Sequence, residues 1–117
     1  MKKTVIILML FVVAYAQSAL AHPPQKIEAT YDKNTKTVTA VIYHKVANPE
    51  KHFINDVTIF SGSEKLFEQK PVKQDNKETQ TVAYKAKDIK PGETLNIVAK
   101  CNIAGSGNKK IVPVAAR

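Results

Sequence analysis

The sequence predicts an all-β fold, an immunoglobulin-like antiparallel β-sandwich of about seven strands that follows an N-terminal signal peptide. Beyond residue 21, apolar residues alternate with polar ones along short segments and do not recur at helical spacing. Clusters of Gly, Pro, Asn, Asp and Ser separate these segments, as turns separate the strands of an antiparallel sheet. This pattern is typical of the immunoglobulin-like sandwich.

The first two strands are predicted to form a hairpin. Every second residue is apolar from Ile27 to Tyr31 and again from Val38 to Ile42, and the polar segment 32–35 between them has turn composition. The remaining strands are predicted over residues 54–60, 65–69, 79–85, 95–101 and 110–114. The turns between these strands are predicted at residues 61–63, 74–77, 90–92 and 105–107.

Residues 1–21 have the pattern of a secretory signal peptide. Lys2 and Lys3 form a positive start, and the almost wholly apolar stretch 4–16 follows them. That stretch is shorter than the roughly 20 residues that a membrane-spanning helix needs. We therefore expect a periplasmic or secreted protein with no stable membrane anchor after cleavage.

The cleavage site determines which residue begins the mature chain. Small residues at Ala19 and Ala21 predict cleavage after Ala21, which leaves a domain of residues 22–117 that begins with His22. A second candidate site follows Ala16 and would leave five more residues at the start.

The charge of the chain is strongly basic. The whole sequence has 18 Lys and Arg against 10 Asp and Glu, and removal of the leader leaves 16 basic residues. The lysines are scattered and Arg117 is the single arginine, so we expect no nucleic-acid partner for this exported chain. A solvated surface that keeps the domain soluble explains the charge, and attraction of small anions or of anionic membrane surfaces is the alternative.

Cys101 is the single cysteine, so an internal disulfide is excluded. Three roles stay open for it. The thiol is buried and inert, or it pairs with another chain in a homo-oligomer, or it binds a metal.

The three histidines are His22, His44 and His52. His44 ends a predicted strand, and the loop from it to His52 contains Pro49, which prevents a continuous strand or helix there. A loop with a histidine at each end can bring two imidazoles to one metal ion, although surface histidines also explain the pattern. The sequence contains no pattern for another kind of active site. It has no serine-histidine-aspartate arrangement, no glycine-rich phosphate loop and no paired cysteines spaced for zinc.

The order of these residues resembles the iron-binding domain of superoxide reductases, the desulfoferrodoxin and neelaredoxin family. Three segments carry the resemblance and span nearly the whole predicted domain: His-Pro-Pro-Gln-Lys-Ile at 22–27, the loop from His44 through Asn48-Pro49-Glu50-Lys51 to His52-Phe53-Ile54, and Pro-Gly-Glu at 91–93 with a strand that ends in Cys101-Asn102-Ile103-Ala104-Gly105.

The resemblance implies a mononuclear non-haem iron centre, Fe(II)/Fe(III), that reduces superoxide to peroxide with electrons from an unknown donor. In the family, four imidazoles lie in a plane around the iron, an axial cysteine thiolate tunes it, and the sixth position stays open for superoxide. The metal ligands that the resemblance implies here are His22, His44, His52 and Cys101.

Three neighbours of these ligands receive roles from the same resemblance. Asn102 is expected to orient its loop or to donate a hydrogen bond to the thiolate, although a turn-forming role explains it equally. Glu50 and Lys51 lie where family members carry a charged residue that gates the open iron position, and they are the candidate catalytic residues. As plain surface charges they need no such role.

The sequence departs from the family where its last histidine would stand, because Ala104 occupies that position. The α-amino group of a terminal His22 can chelate beside its own ring and supply the missing nitrogen. Such a chelate also suits Cu(II), so a periplasmic copper-binding protein is the second interpretation. A metal-free sandwich that has lost the site is the third.

Overall fold

The computed structural model describes residues 22–116, and these residues form an all-β domain. The seven strands are β1 Lys26–Asp32, β2 Thr37–Tyr43, β3 Ile54–Ser61, β4 Glu64–Gln69, β5 Thr79–Lys85, β6 Leu95–Cys101 and β7 Ser106–Ile111. Across the same range, no helix is long and apolar enough to cross a bilayer. The predicted signal peptide lies outside the described residues.

The strands form two antiparallel sheets. One has the order β1-β2-β5 and the other the order β4-β3-β6-β7. The apolar sides of the two sheets enclose one core. The predicted antiparallel β-sandwich is therefore confirmed.

The core comes from the alternation that the sequence shows. Val38, Ala40 and Ile42 of β2 are fully buried, and the residues between them are partly exposed. Leu95 and Ile97 of β6 are equally buried in the opposite sheet. Burying a large aliphatic side chain contributes about 1.5–3 kcal/mol, so these inward rows hold the two sheets together.

The ends of several strands from both sheets lie together at one end of the sandwich. Tyr43, the last residue of β2, pairs with the first residues of β1 and β5, Lys26 and Thr79. In the other sheet, the last residue of β6, Cys101, pairs with the first residue of β3, Ile54. Residues 44–53 connect β2 to β3, so both histidines of this loop lie at this end.

The last strand differs from its predicted position. It was expected at 110–114, but β7 spans Ser106–Ile111, and Gly107 pairs with Ala99 of β6. The glycines at 105–107 indicated a turn, yet only Gly105 has the left-handed conformation, with φ of 90°. Gly107 lies inside the strand, and a Cβ there would be in ordinary contact with Pro24 at 3.7 Å.

Candidate metal centre

Three imidazoles converge at this end of the sandwich. One ring nitrogen from each of His22, His44 and His52 lies within 4.8 Å of the others. The ring centroids are 4.8 Å apart for His22 and His44, 5.2 Å for His22 and His52, and 4.8 Å for His44 and His52. Because metal–imidazole bonds are about 2.0–2.1 Å long, two nitrogens on one ion are at most about 4 Å apart. A pair of nitrogens 4.8 Å apart must therefore approach by roughly 1 Å or more to share one ion.

His44 continues the inward row of β2. It is the next inward position after Ile42, and its side chain is fully buried. Its backbone N–H donates to the Glu78 carbonyl at 2.8 Å, which extends the pairing with the segment before β5. Its ring lies between two oxygens, with Nδ1 2.9 Å from Gln74 Oε1 and Nε2 3.2 Å from the His22 carbonyl.

His52 is turned inward by a short loop that Asn48 organises. The Asn48 carbonyl accepts the N–H groups of Lys51 at 3.1 Å and His52 at 2.9 Å, and Asn48 Oδ1 accepts that of Glu50 at 3.0 Å. The resulting turn buries His52 Nε2, which has no hydrogen-bond partner among the described residues. A buried nitrogen without a partner costs stability, and a bound cation would remove that cost.

The imidazole of His52 is held neutral. Its pKa is lowered from 6.5, first because burial disfavours the charged ring and then because His44 and His22 repel a further positive charge. Metal ligation requires the neutral ring. The same environment that costs stability therefore prepares His52 as a ligand.

This lowered pKa predicts a pH dependence of the metal-free protein. Below about pH 6.5 the unfolded chain binds a proton at His52 before the folded chain does. The free energy of unfolding should therefore fall as pH decreases from about 6.5 towards the lowered pKa, and His52 should contribute no slope above that range. Urea unfolding at a series of pH values measures this effect. His52→Gln should flatten the slope, and an equal slope in this variant would contradict the assignment.

His22 is positioned by the segment that enters β1. Its Nε2 lies 2.9 Å from the Lys45 carbonyl and its Nδ1 3.1 Å from the Pro23 carbonyl. Gln25 fixes this segment to the end of β2, because its N–H donates to the Tyr43 carbonyl at 2.8 Å and its Oε1 accepts the Lys45 N–H at 3.0 Å. These bonds hold the His22 ring beside His44.

Gly105 brings the same segment against the turn after β6. A Cβ on Gly105 would lie 2.8 Å from the Cβ of Pro23 and 2.9 Å from its Cα, closer than atoms can pack. At Gly107, the nearest atom to such a Cβ is Pro24 Cβ, at 3.7 Å. The absence of a side chain at Gly105 thus sets the position of the residue that follows His22.

Cys101 lies at the same end of the sandwich, on the inward side of β6, and is 8% exposed. Its Sγ accepts the Ile103 N–H at 3.4 Å, and its own N–H donates to the Gly105 carbonyl at 3.0 Å. Among residues 22–116, the group of mutually close ligand atoms consists of the three histidines and does not include this sulfur. Cys101 pairs with Ile54, two residues beyond His52.

Asn102 joins the His52 loop to the turn after β6. Its N–H donates to the Phe53 carbonyl at 2.9 Å, and its Oδ1 accepts the Phe53 N–H at 2.8 Å. Its Nδ2 donates to the Lys51 carbonyl at 2.9 Å. The three bonds bracket His52 and hold its loop against the strand end that carries Cys101.

The remaining predicted residues face solvent. Glu50 and Lys51 are exposed on the loop before His52. Ala104 is exposed in the turn between β6 and β7.

Gln74 is the residue of this end that the sequence did not indicate. It lies in the connection between β4 and β5, in a segment predicted as a plain turn, yet it is 2% exposed and contacts His44 directly. Its N–H donates to the Pro49 carbonyl at 2.9 Å, which ties the connection to the His52 loop. A glutamine among polar turn residues carries no signal of burial in a single sequence.

The fold and this site define a β-sandwich with a three-histidine cluster at one end. Among solved structures, the superoxide reductase (1Fe-SOR) from Giardia intestinalis is similar to it, with a TM-score of 0.57 and 18% sequence identity. The match covers 80% of this chain and 98% of that chain. No protein-family model and no curated protein sequence matches the chain. The likeness therefore shows a shared fold, and membership of the family by sequence stays a prediction.

Proposed function

We propose that this chain is an exported mononuclear metal-binding protein that holds iron and reduces superoxide to peroxide. The observation that carries the proposal is the convergence of three imidazoles in a fold shared with a superoxide reductase. Residues 1–21 support the exported location through their signal-peptide pattern.

The residues at the site fit a metal ion of this kind. Imidazole nitrogens suit iron, copper, nickel and zinc, and His52 Nε2 is buried without a partner. Held by these residues, iron would supply the one electron that, with two protons, converts superoxide to hydrogen peroxide, and an external one-electron donor would be required to return that electron.

Cys101 is the proposed sulfur ligand, with the three histidines as nitrogen ligands. The Ile103 N–H that points at Sγ would stabilise a thiolate, because a hydrogen bond to the charged form favours it. Asn102 would keep the His52 loop and Cys101 in register through its three bonds to residues 51 and 53.

The protein's charge would serve the capture of superoxide, which is an anion. Excess basic residues create a positive potential that raises the arrival rate of small anions. Lys51 is exposed next to His52 and is the nearest such charge along the chain. In this proposal its ammonium group attracts superoxide to the site, and Glu50 beside it moderates that attraction.

Anaerobic loading of the mature protein with Fe(II) tests this function. After oxidation, the loaded protein should show a visible thiolate-to-iron charge-transfer band, and the reduced form should consume superoxide stoichiometrically. Cys101→Ser should abolish the band and leave iron bound by the histidines. A band that is unchanged in Cys101→Ser would reject the sulfur ligand, and an absence of superoxide consumption would reject the activity.

Copper binding is the second candidate, and the His22 hydrogen bond favours it. His22 Nε2 lies 2.9 Å from the Lys45 carbonyl and His22 Nδ1 lies 3.1 Å from the Pro23 carbonyl, so the shorter contact favours the proton on Nε2 and leaves Nδ1 for a metal. Nδ1 is the ring nitrogen that can chelate together with the α-amino group of the same residue. If copper is the native metal, Cu(II) should displace iron, and one extra residue before His22 should weaken Cu(II) binding by orders of magnitude.

A further inference from the structure

The side-chain amide of Gln74 has a single orientation that its surroundings allow. Its Nε2 is 2.7 Å from the His44 carbonyl and 2.9 Å from the Asn76 carbonyl, and its Oε1 is 3.3 Å from the Ile54 N–H. If the amide were reversed, its oxygen would face two carbonyl oxygens and its NH₂ group would face the Ile54 N–H. None of these three pairs could form a hydrogen bond. Three backbone groups thus fix Oε1 as the atom that faces the ring of His44.

This orientation determines which ring nitrogen of His44 carries the proton. Oε1 lies 2.9 Å from His44 Nδ1 and can only accept a hydrogen bond. A neutral imidazole has one N–H, so that proton must be on Nδ1. The lone pair is then on Nε2, which faces the His22 carbonyl, another acceptor, at 3.2 Å.

In this tautomer two acceptors face each other across 3.2 Å, an arrangement that a cation beside them, either a proton or a metal ion, stabilises. The lone pair of His44 Nε2 and the partnerless Nε2 of His52 belong to rings whose centroids are 4.8 Å apart. A ring nitrogen of His44 lies within 4.8 Å of one from each of the other two imidazoles, and the fixed tautomer leaves Nε2 as the His44 nitrogen with a lone pair. Fixing the tautomer in advance removes a proton rearrangement that metal binding would otherwise require.

We propose that Gln74 is a positioning residue that sets His44 in its Nδ1–H tautomer and presents Nε2 as the metal ligand. The role of Gln74 in metal binding rests on the proposed function. The tautomer of His44 is a property of the metal-free protein and is measured without a metal. Gln74 binds no metal in this scheme. It acts through His44 and at the same time anchors the β4–β5 connection.

The tautomer is measured directly by ¹⁵N NMR of histidine-labelled, metal-free protein at a pH well above the ordinary imidazole pKa of about 6.5. The wild-type spectrum should show His44 with a protonated Nδ1 and an unprotonated Nε2. In Gln74→Leu, His44 should shift to the Nε2–H form or to a mixture. A wild-type His44 in the Nε2–H form would overturn the proposal, and so would an unchanged tautomer in folded Gln74→Leu.

A conservative variant separates positioning from simple anchoring. Glu in place of Gln74 keeps an acceptor for the Nδ1 proton but loses the two bonds that Nε2 donates to the His44 and Asn76 carbonyls. With Zn(II) as the probe, Gln74→Leu should weaken binding about 10- to 100-fold, and Gln74→Glu should recover most of that loss. Equal losses in the two variants would show that anchoring alone matters and would overturn the proposal.

The two readouts also separate this inference from the proposed function. A wild-type protein with the Nδ1–H tautomer and no affinity for Zn(II), Fe(II) or Cu(II) would reject the metal-binding function and leave the tautomer assignment intact. Should Gln74→Leu fail to fold, the wild-type spectrum and the Gln74→Glu variant still decide the question.

Discussion

Replacing His52 with alanine is expected to abolish tight metal binding. The substitution removes one of three converging imidazoles and the one whose Nε2 has no partner in the described chain. Because disturbing the support of a ligand already costs 10- to 100-fold in affinity, losing the ligand should cost more than about 100-fold. Calorimetric titration with Zn(II) or Co(II) measures this loss.

Thermal unfolding gives a second view of the same variant. A metal present at 100 times its dissociation constant stabilises the folded protein by about 2.7 kcal/mol, and in His52→Ala this gain should fall to about 0.4 kcal/mol or less. Lys77→Ala is the control, because Lys77 is exposed and the substitution keeps its backbone carbonyl, which accepts the Val46 N–H. Equal metal-induced stabilisation in His52→Ala and wild type would show that His52 is not a metal ligand.

Gly105→Ala is expected to destabilise the fold and to weaken metal binding together. The new Cβ would meet Pro23 at 2.8 Å, and the residue would also keep a φ of 90°. Left-handed backbone costs about 1–2 kcal/mol for a residue with a side chain, and overpacking adds about 1–3 kcal/mol. Displacing Pro23 moves its neighbour His22, so metal affinity should fall at least about tenfold.

Gly62→Ala is the matched control for this variant. Gly62 also has a positive φ, 62°, but a Cβ there would have nothing within 4 Å. It should lose about 1–2 kcal/mol of unfolding free energy from the backbone alone and keep its full metal affinity. Urea unfolding and Zn(II) titration of both variants make the comparison. Unchanged metal affinity in Gly105→Ala would show that the Pro23 contact does not position His22.

Strands β2 and β6 were predictable because their buried residues repeat every two positions. The row from Val38 to Ile42 indicates a strand with one buried face, and the structure places β2 at Thr37–Tyr43. The last strand was misplaced because glycine has two uses that a sequence does not distinguish. Gly105 has a positive φ in the turn, whereas Gly107 lies inside β7 and pairs with Ala99 of β6.

The candidate site was predictable in its histidines and not in its supports. Histidines are few, so His44 and His52 at the two ends of one loop were visible as a pair. Gln74 and Gly105 act through contacts with residues distant in sequence, Gln74 with His44 and Gly105 with Pro23. Long-range contacts of this kind depend on how the two sheets pack together. That packing cannot be predicted from a single sequence.

The most direct test of the central claim is a Zn(II) titration of the ¹⁵N-histidine-labelled mature protein, followed by NMR. The claim is that His22, His44 and His52 form one metal site. The ring nitrogens of all three should shift together and stop changing at one equivalent of Zn(II). An imidazole that keeps its metal-free resonance at saturation, or rings that saturate at different Zn(II) ratios, would contradict a single shared site.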